Sequence, residues 1–374
     1  MTNGASKQRM DFLDILKGIA CVWMIHRHIW NALIEPNTKI PSYYPSFLIG
    51  LAAPCFLIGA GFVFIILFDS AKLKNQVNKR MIRLLYRCSQ VILLGYVLQL
   101  PYYSLRKLLF HPLTQAEKED LFHANVLQCI GVSLILLSLF VYILKRFNTI
   151  TVGYIAGIVG LLIIFVTPWV WEHADFPIWI QSYFSFKTKS LFPFFPFGGI
   201  LFIGAAAASF YMQMKSRNKI SLAFLTFGII GFLLMLTRPI TPLQHLFWQF
   251  KNANPLIYLY KVGQGLLALY VSYLLEKIPG ILKKAVDWLT LMGKEALFVY
   301  AFHLIIIYGS PFNKGLYKYY KESLDLTTIM LLGIAIIFIN IIGAYLWSEI
   351  KKRWLIILRI LFAIAALIFI IKPY

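Results

Sequence analysis

Apolar runs of roughly membrane-spanning length recur along the whole chain, near residues 13–34, 44–68, 88–105, 124–144, 150–171, 190–214, 220–237, 255–275, 290–309, 327–347 and 355–371. A hydrocarbon layer about 30 Å thick is crossed by about 20 helical residues. Inside that layer no water satisfies free backbone N–H and C=O groups, so only helices and closed barrels can span it. No alternating barrel pattern is visible. The expected fold is therefore all-α, a polytopic integral membrane protein with about 11 transmembrane helices (10–12), the short third and seventh runs being the weakest. Pro101, Pro168, Pro193 and Pro196 fall in or beside runs and predict kinks or re-entrant ends there.

Composition agrees: 60% of residues are hydrophobic and 14% charged, where a soluble chain carries about 25% charge. The spans and their short loops use up the 374 residues, and no repeat or linker is evident. The chain reads as one membrane domain, 1–374. Its net charge of +21 would suit nucleic acid. The cations, however, sit in short loops between apolar runs, where they act as topology signals and contacts with anionic membrane lipids, so no nucleic-acid partner is expected. Alternate loops hold nineteen against twelve Lys and Arg. The larger set, with Lys72, Lys74, Lys79, Arg80, Arg83 and Arg87 in one loop, should be cytoplasmic, which puts the N-terminus inside. The expected location is a bacterial-type cytoplasmic (inner) membrane. No cleavable signal peptide is expected, because the first apolar run contains charges. Cys21, Cys55, Cys88 and Cys129 read as unpaired, packed thiols.

The first run, Met10–Ile34, carries Asp14 and Lys17 near one end and His26, Arg27 and His28 near the other. Each charge at bilayer depth costs a few kcal/mol, so such groups face a bundle interior and mark function. Lys17 and His28, eleven residues apart, share one helix stripe about 16 Å long. His26 lies about 200° around from His28 and reads as packing. His123 and Asn125 open the fourth run, His303 lies in the outer half of the ninth, and His245 and Trp248 occupy an outer loop. Topology alone thus puts four of the seven histidines at similar depth.

Histidine suits acid–base work near neutrality. His28 reads as a general base or acyl carrier, with a metal or proton relay and a structural hydrogen bond as alternatives. For His303 and His123 the structural and functional readings compete evenly. No HExxH or carboxylate–histidine spacing occurs, so no metal site is expected. Arg80, Arg83 and Arg87, at i, i+3 and i+7, present one guanidinium face suited to phosphates, although the positive-inside bias alone would put cations there. The glycines of FLIGAGF and PFGGILFIGAAAAS read as close helix contacts.

Together these segments resemble the transmembrane acyltransferase superfamily. The likeness is nearest to the heparan-α-glucosaminide N-acetyltransferase-like branch and extends to the related acyltransferase-3 proteins. Its opening signature is matched by Arg9, Leu13–Asp14, Lys17–Gly18, Ala20 and His28. Ala53–Pro54–Cys55–Phe56–Leu57 with Gly59 and Gly61 resembles its second span, and Arg80 with Arg83 its Arg-x-x-Arg element. Asn125–Leu127–Gln128–Ile130–Gly131, Phe192–Pro193–Phe195–Pro196 and Gly293–Ala296–Leu297–Tyr300–His303 are similar to three later elements. Lys17 stands where arginine is usual, Phe197 where tryptophan is common, and Arg27 where an acidic or polar residue is frequent.

The resemblance implies an acyl-CoA-dependent O- or N-acyltransferase, typically an acetyltransferase. It would move acetyl from cytoplasmic acetyl-CoA (acyl-CoA), a co-substrate, to a hydroxyl or amine of a sugar, glycan or glycolipid at or across the membrane. In that frame His28 is base or acyl carrier, and Asp14, Lys17, His303 and His123 complete the catalytic set. Arg80, Arg83, Arg87 and Lys79 hold the CoA phosphates, and the pantetheine arm follows the Lys17–His28 stripe. Asn125, Gln128 or His303 donates to the oxyanion. His245 and Trp248 face the acceptor, with Trp171 and Trp179 stacking on sugars or anchoring in the interface. A homo-oligomer is compatible with this reading. The competing class is a transporter or flippase for a lipid-linked or anionic solute, which also uses buried charges and broken helices.

Overall fold

A computed structural model describes residues 10–36, 38, 48–214, 216–237, 247–310, 312–354 and 364, the side chains of Arg217 and Trp248 excepted. The last apolar run, 355–371, falls almost wholly outside the described residues, as do Arg9 and His245.

The chain is an all-helical polytopic membrane protein. Its first half comprises α1 (Asp11–Leu33), α2 (Ala52–Leu73), α3 (Val77–Leu98), short α4 (Leu105–Phe110) and α5 (Gln115–Phe122), α6 (Val126–Ile143) and α7 (Thr149–His173). There follow short α8 (Ile178–Phe184), α9 (Phe194–Gln213), α10 (Arg217–Leu233), α11 (Pro255–Leu275), α12 (Leu282–Lys294), α13 (Ala296–Tyr308), short α14 (Gly315–Tyr320) and α15 (Leu326–Arg353). Among the described residues seven helices are long and apolar enough to cross a membrane, namely α2, α3, α6, α7, α9, α10 with its 3-10 extension, and α15. Local chemistry sets several starts. Asn125 and Asn148 accept the second backbone N–H of α6 and α7 at 3.0 and 2.8 Å, and Thr114 with Glu117 forms a capping box on α5.

The run expected at 290–309 is not one straight span. It is divided between α12 and α13, which meet at a bend of 85°. At 13 residues, α13 is about 20 Å long, too short to cross alone. The break falls where Lys294 and Glu295 interrupt the apolar pattern, and both charges are answered there: Lys294 by Asp11 at 3.8 Å, Glu295 by Lys351 of α15. Gly309, at φ 96°, ends α13.

The chain divides into two compact units. The first joins residues 1–55 to 268–352. Its centre is α1 against α12. A Cβ on Gly18 would lie 2.0 Å from the Leu289 carbonyl oxygen, and one on Gly293 would lie 1.7 Å from that of Asp14. Lipid gives helices no hydrophobic drive to associate, so contact of this kind rests on dispersion between closely approached backbones, which only small residues permit. Phe12 N–H donates to Glu276 Oε1 at 3.2 Å, and Leu324 N–H donates to the Leu33 carbonyl at 2.9 Å, tying both ends of α1.

The second unit covers residues 56–267 and 353–374. Here α9 is the hub. Gly61 of α2 abuts the Leu201 backbone, Gly204 abuts that of Ile58, and Gly160 of α7 faces Gly199. Before α9, the Leu191 and Phe192 N–H groups donate to the Ala124 carbonyl at 3.0 and 2.9 Å. This fixes the start of α9 beside the start of α6. The four cysteines are free and buried.

Candidate active site

Two side chains from distant parts of the first unit meet in its interior. His28 lies on α1, five residues before its end, and His303 on the third turn of α13. Their rings sit 5.0 Å apart, with His303 Nε2 3.3 Å from His28 Nδ1. The other His303 nitrogen, Nδ1, is 2.7 Å from the carbonyl oxygen of Val299. A carbonyl can only accept, so Nδ1 carries the proton. Neutral His303 then has its lone pair on Nε2 and accepts from His28 Nδ1–H. His28 Nε2 is left with a bare lone pair.

The surroundings differ for the two rings. His303 is fully buried, whereas His28 is only partly so. The Tyr300 ring meets His303 edge-on at 5.9 Å, and the Tyr308 ring meets His28 edge-on at 6.0 Å. Of the two rings, His28 is the less enclosed and His303 the more enclosed. His26 turns elsewhere, between Trp23 and Trp30 at 5.6 and 5.9 Å. At the other end of the α1 stripe, Lys17 Nζ pairs with Asp14 Oδ1 at 2.7 Å. Asp14 is buried and Lys17 partly exposed. Because α1 runs unbroken, Lys17 and His28 keep their shared face.

The second unit carries the remaining candidates. Gln99, which follows α3, is the centre of an amide cluster. Its Oε1 accepts from Asn125 Nδ2 at 3.2 Å and from Gln128 Nε2, and its Nε2 donates to His123 Nε2 and the His123 carbonyl at 2.6 and 3.0 Å. The His123 Nδ1–H is held by the Asp120 carbonyl at 2.6 Å, so both ring nitrogens are engaged. Burial pushes the His123 imidazole below its ordinary pKa, partly opposed by the Asp120 carbonyl. Asn125 Oδ1 caps α6. The amide N–H groups of Asn125 and Gln128 thus point at Gln99, and what stays open is an acceptor: Gln128 Oε1, buried and without a partner. The side chain lies across α3 where Gly95 leaves room, since a Cβ there would meet Oε1 at 2.5 Å.

On α3, Arg83, Arg87 and Lys79 are exposed and Arg80 is partly so, and none has an ion-pair partner among the described residues. Trp248 begins a 3-10 turn, its side chain outside the described residues, and His245 lies outside them altogether. No group of three or more potential metal ligands occurs among the described residues.

Compared with known families, residues 9–249 match the model of the heparan-alpha-glucosaminide N-acetyltransferase catalytic domain. The chain belongs to this family. Membership makes it a membrane acetyltransferase, and acetyl-CoA is the general donor of such enzymes. No curated protein sequence matches the chain. The matched stretch contains His28, Arg80, Arg83, Asn125 and Gln128 but stops short of His303.

Three groups escape a reading of the sequence. Gln99 carries no motif and is recognisable only as an amide beside Pro101 at the end of a span. The Val299 carbonyl, which sets the tautomers of the histidine pair, has no sequence signature at all. Lys261 did have a signal, being the one charge in the apolar run of α11, and a charge at bilayer depth costs a few kcal/mol there as on α1.

Proposed function

We propose that this acetyltransferase takes an acetyl or other acyl group from cytoplasmic acyl-CoA and transfers it to a hydroxyl or amine of a sugar, glycan or glycolipid at or across the membrane. The observation that supports the reading is the tautomer-fixed pair, in which His28 Nε2 keeps its lone pair on the less enclosed ring while His303 is fully buried. The acceptor gives its O–H or N–H proton to His28 Nε2 as its oxygen or nitrogen attacks the thioester carbon. The C–S bond of the tetrahedral intermediate then breaks, and the departing CoA sulfur takes the proton back from His28. The passing imidazolium is stabilised by the Nδ1–H bond to His303, which is a positioning residue on this reading.

Lys17, held by Asp14, flanks the acyl-donor arm along α1. Arg80, Arg83, Arg87 and Lys79 bind the phosphates of CoA, with bidentate geometry available to the three arginines. Gln128 Oε1 accepts from a hydroxyl or N–H of a substrate, and His123 and Asn125 hold the amide cluster around it. The location that fits the cation distribution is a cytoplasmic membrane with the N-terminus inside.

Purified protein given acetyl-CoA should release free CoA when offered an amino sugar or glycan, and His28→Ala should abolish this at normal abundance. Exchange of solute across liposomes without CoA release would replace the reading with transport.

A further inference from the structure

In the first unit, α12 carries exposed apolar side chains on a helix of 13 residues. Its orientation follows from its neighbours. Between α13 and α15, Glu295 pairs with Lys351, the Phe298 ring stacks on Trp347 at 5.0 Å, and a Cβ on Gly343 would lie 2.9 Å from the Phe302 ring. As α13 advances from 295 to 302, α15 recedes from 351 to 343, so the two run antiparallel side by side for about 10 Å. The long helix α15 is apolar enough to cross a membrane, and Lys351 lies near its end. Upright beside it, α13 begins at that end. Because α12 meets α13 at 85°, it lies across the upright direction at the level of Lys351.

Around α12 the side chains fall into three sectors, at 100° per residue. Val286, Thr290 and Gly293 stand at i, i+4 and i+7 and are buried; Gly293 abuts the Asp14 backbone, so this sector faces α1. Ile281, whose backbone is already helical, Ala285 and Trp288 form a second sector. All three are exposed, Ile281 at 83% and Trp288 at 45%. Lys283, Lys284, Asp287 and Lys294 form the third. Lys283 pairs with Asp287 at 3.2 Å and Lys294 with Asp11 at 3.8 Å, whereas Lys284 is exposed and has no ion-pair partner among the described residues. The apolar and polar sectors lie on opposite flanks of the α1 sector, about 140° and 90° round from it. A helix lying sideways against an upright neighbour, with hydrocarbon below it and water above, requires this three-way division.

We propose that α12 is an interfacial helix lying in the plane of the leaflet on the Lys351 side, and that lipid of this leaflet covers its exposed apolar face. Ile281, Ala285 and Trp288 enter the boundary of the acyl chains, and Lys284 extends to the lipid phosphates. Since Gly18 and Gly293 bring α12 against α1 beside Asp14, this helix also sets the Asp14–Lys17 pair at the depth of the membrane surface. The proposal is independent of the acyl-transfer reading.

The test uses full-length Ile281→Cys, Lys284→Cys, Ala285→Cys and Trp288→Cys, each spin-labelled in vesicles of phosphatidylcholine and phosphatidylglycerol. All four positions are exposed, and wild type, whose four cysteines are buried, is the labelling control. Spin relaxation by dissolved oxygen, which concentrates in hydrocarbon, is compared with relaxation by a water-soluble nickel chelate. Labels at 281, 285 and 288 should favour oxygen and report one depth, and the label at 284 should favour nickel. An upright α12 would instead separate 281 and 288 by about 10 Å in depth, and that result overturns the proposal. Labels at 285 and 288 closed to both reagents would mean that a second copy of the chain covers the face, and labels open to nickel at all four positions would put it in water; either outcome also overturns it.

Discussion

His303 Nε2 and His28 Nδ1 lie 3.3 Å apart although 275 residues separate them in the chain. The contact orders the protons of both rings, because the Val299 carbonyl leaves His303 one tautomer and His303 in turn leaves His28 one. If this arrangement supplies the base, the two histidines should fail differently. His28→Ala should remove transfer altogether. His303→Asn should lower kcat by about 10²–10⁴-fold with KM for the donor little changed, since it removes orientation and leaves the base in place. Steady-state kinetics on protein of matched abundance decide this, and a His303→Asn variant of normal kcat would refute the positioning role.

The arginine row should act on donor affinity. Arg80→Ala and Arg83→Ala are each expected to raise the KM for acetyl-CoA about 10–100-fold with kcat nearly unchanged, the range for a lost charge-assisted hydrogen bond. Acetyl-pantetheine, which lacks the nucleotide phosphates, should be used equally by wild type and variants. A variant whose acetyl-CoA requirement is unaltered removes its arginine from the site.

Packing of α1 on α12 should tolerate no added atom at the contact glycines. In Gly293→Ala the new methyl would fall 1.7 Å from the Asp14 carbonyl oxygen, backbone against backbone, so the helices must separate. We expect destabilisation of about 1–3 kcal/mol or more. Gly333→Ala on α15, with nothing within 4 Å of the added carbon, should instead be neutral or stabilising by up to about 1 kcal/mol. Melting temperatures of the two variants in detergent provide the comparison, and equal effects would remove the packing argument.

The amide cluster should weaken in acid. The His123 pKa is lowered on folding, chiefly by burial. The stability it contributes is therefore fully present above the unfolded value, about 6.5, and is lost as pH falls through the folded one. The structural cause is direct: protonated Nε2 would face the Gln99 amide N–H donor to donor. Wild type should lose thermal stability as pH falls below about 6.5 beyond the loss seen in His123→Asn. Parallel curves for the two would mean that the cluster does not depend on neutral His123.

Much of this architecture is written in composition and period. Runs of apolar side chains without alternation leave the backbone only the helix in lipid, and α11 begins and ends at the very residues the run 255–275 predicts. The charges of α1 identify a functional face because lipid will not hold them. Where charges met charges, the sequence misled: residues 290–309 look continuous in hydropathy, yet the Glu295–Lys351 and Lys294–Asp11 pairs accompany a bend there. A span count by hydropathy cannot see a partner 56 residues away.

What the sequence by itself determined, then, is the solvent of the chain, its helical nature, the family and the equipped face of α1, because each depends on local residue types and their spacing. Tertiary structure alone decided that His28 meets His303 and that Gln128 offers an acceptor rather than a donor. Those outcomes hang on single hydrogen bonds and carbonyl positions between segments far apart in the chain, and no periodicity encodes a distance of 3 Å across a bundle.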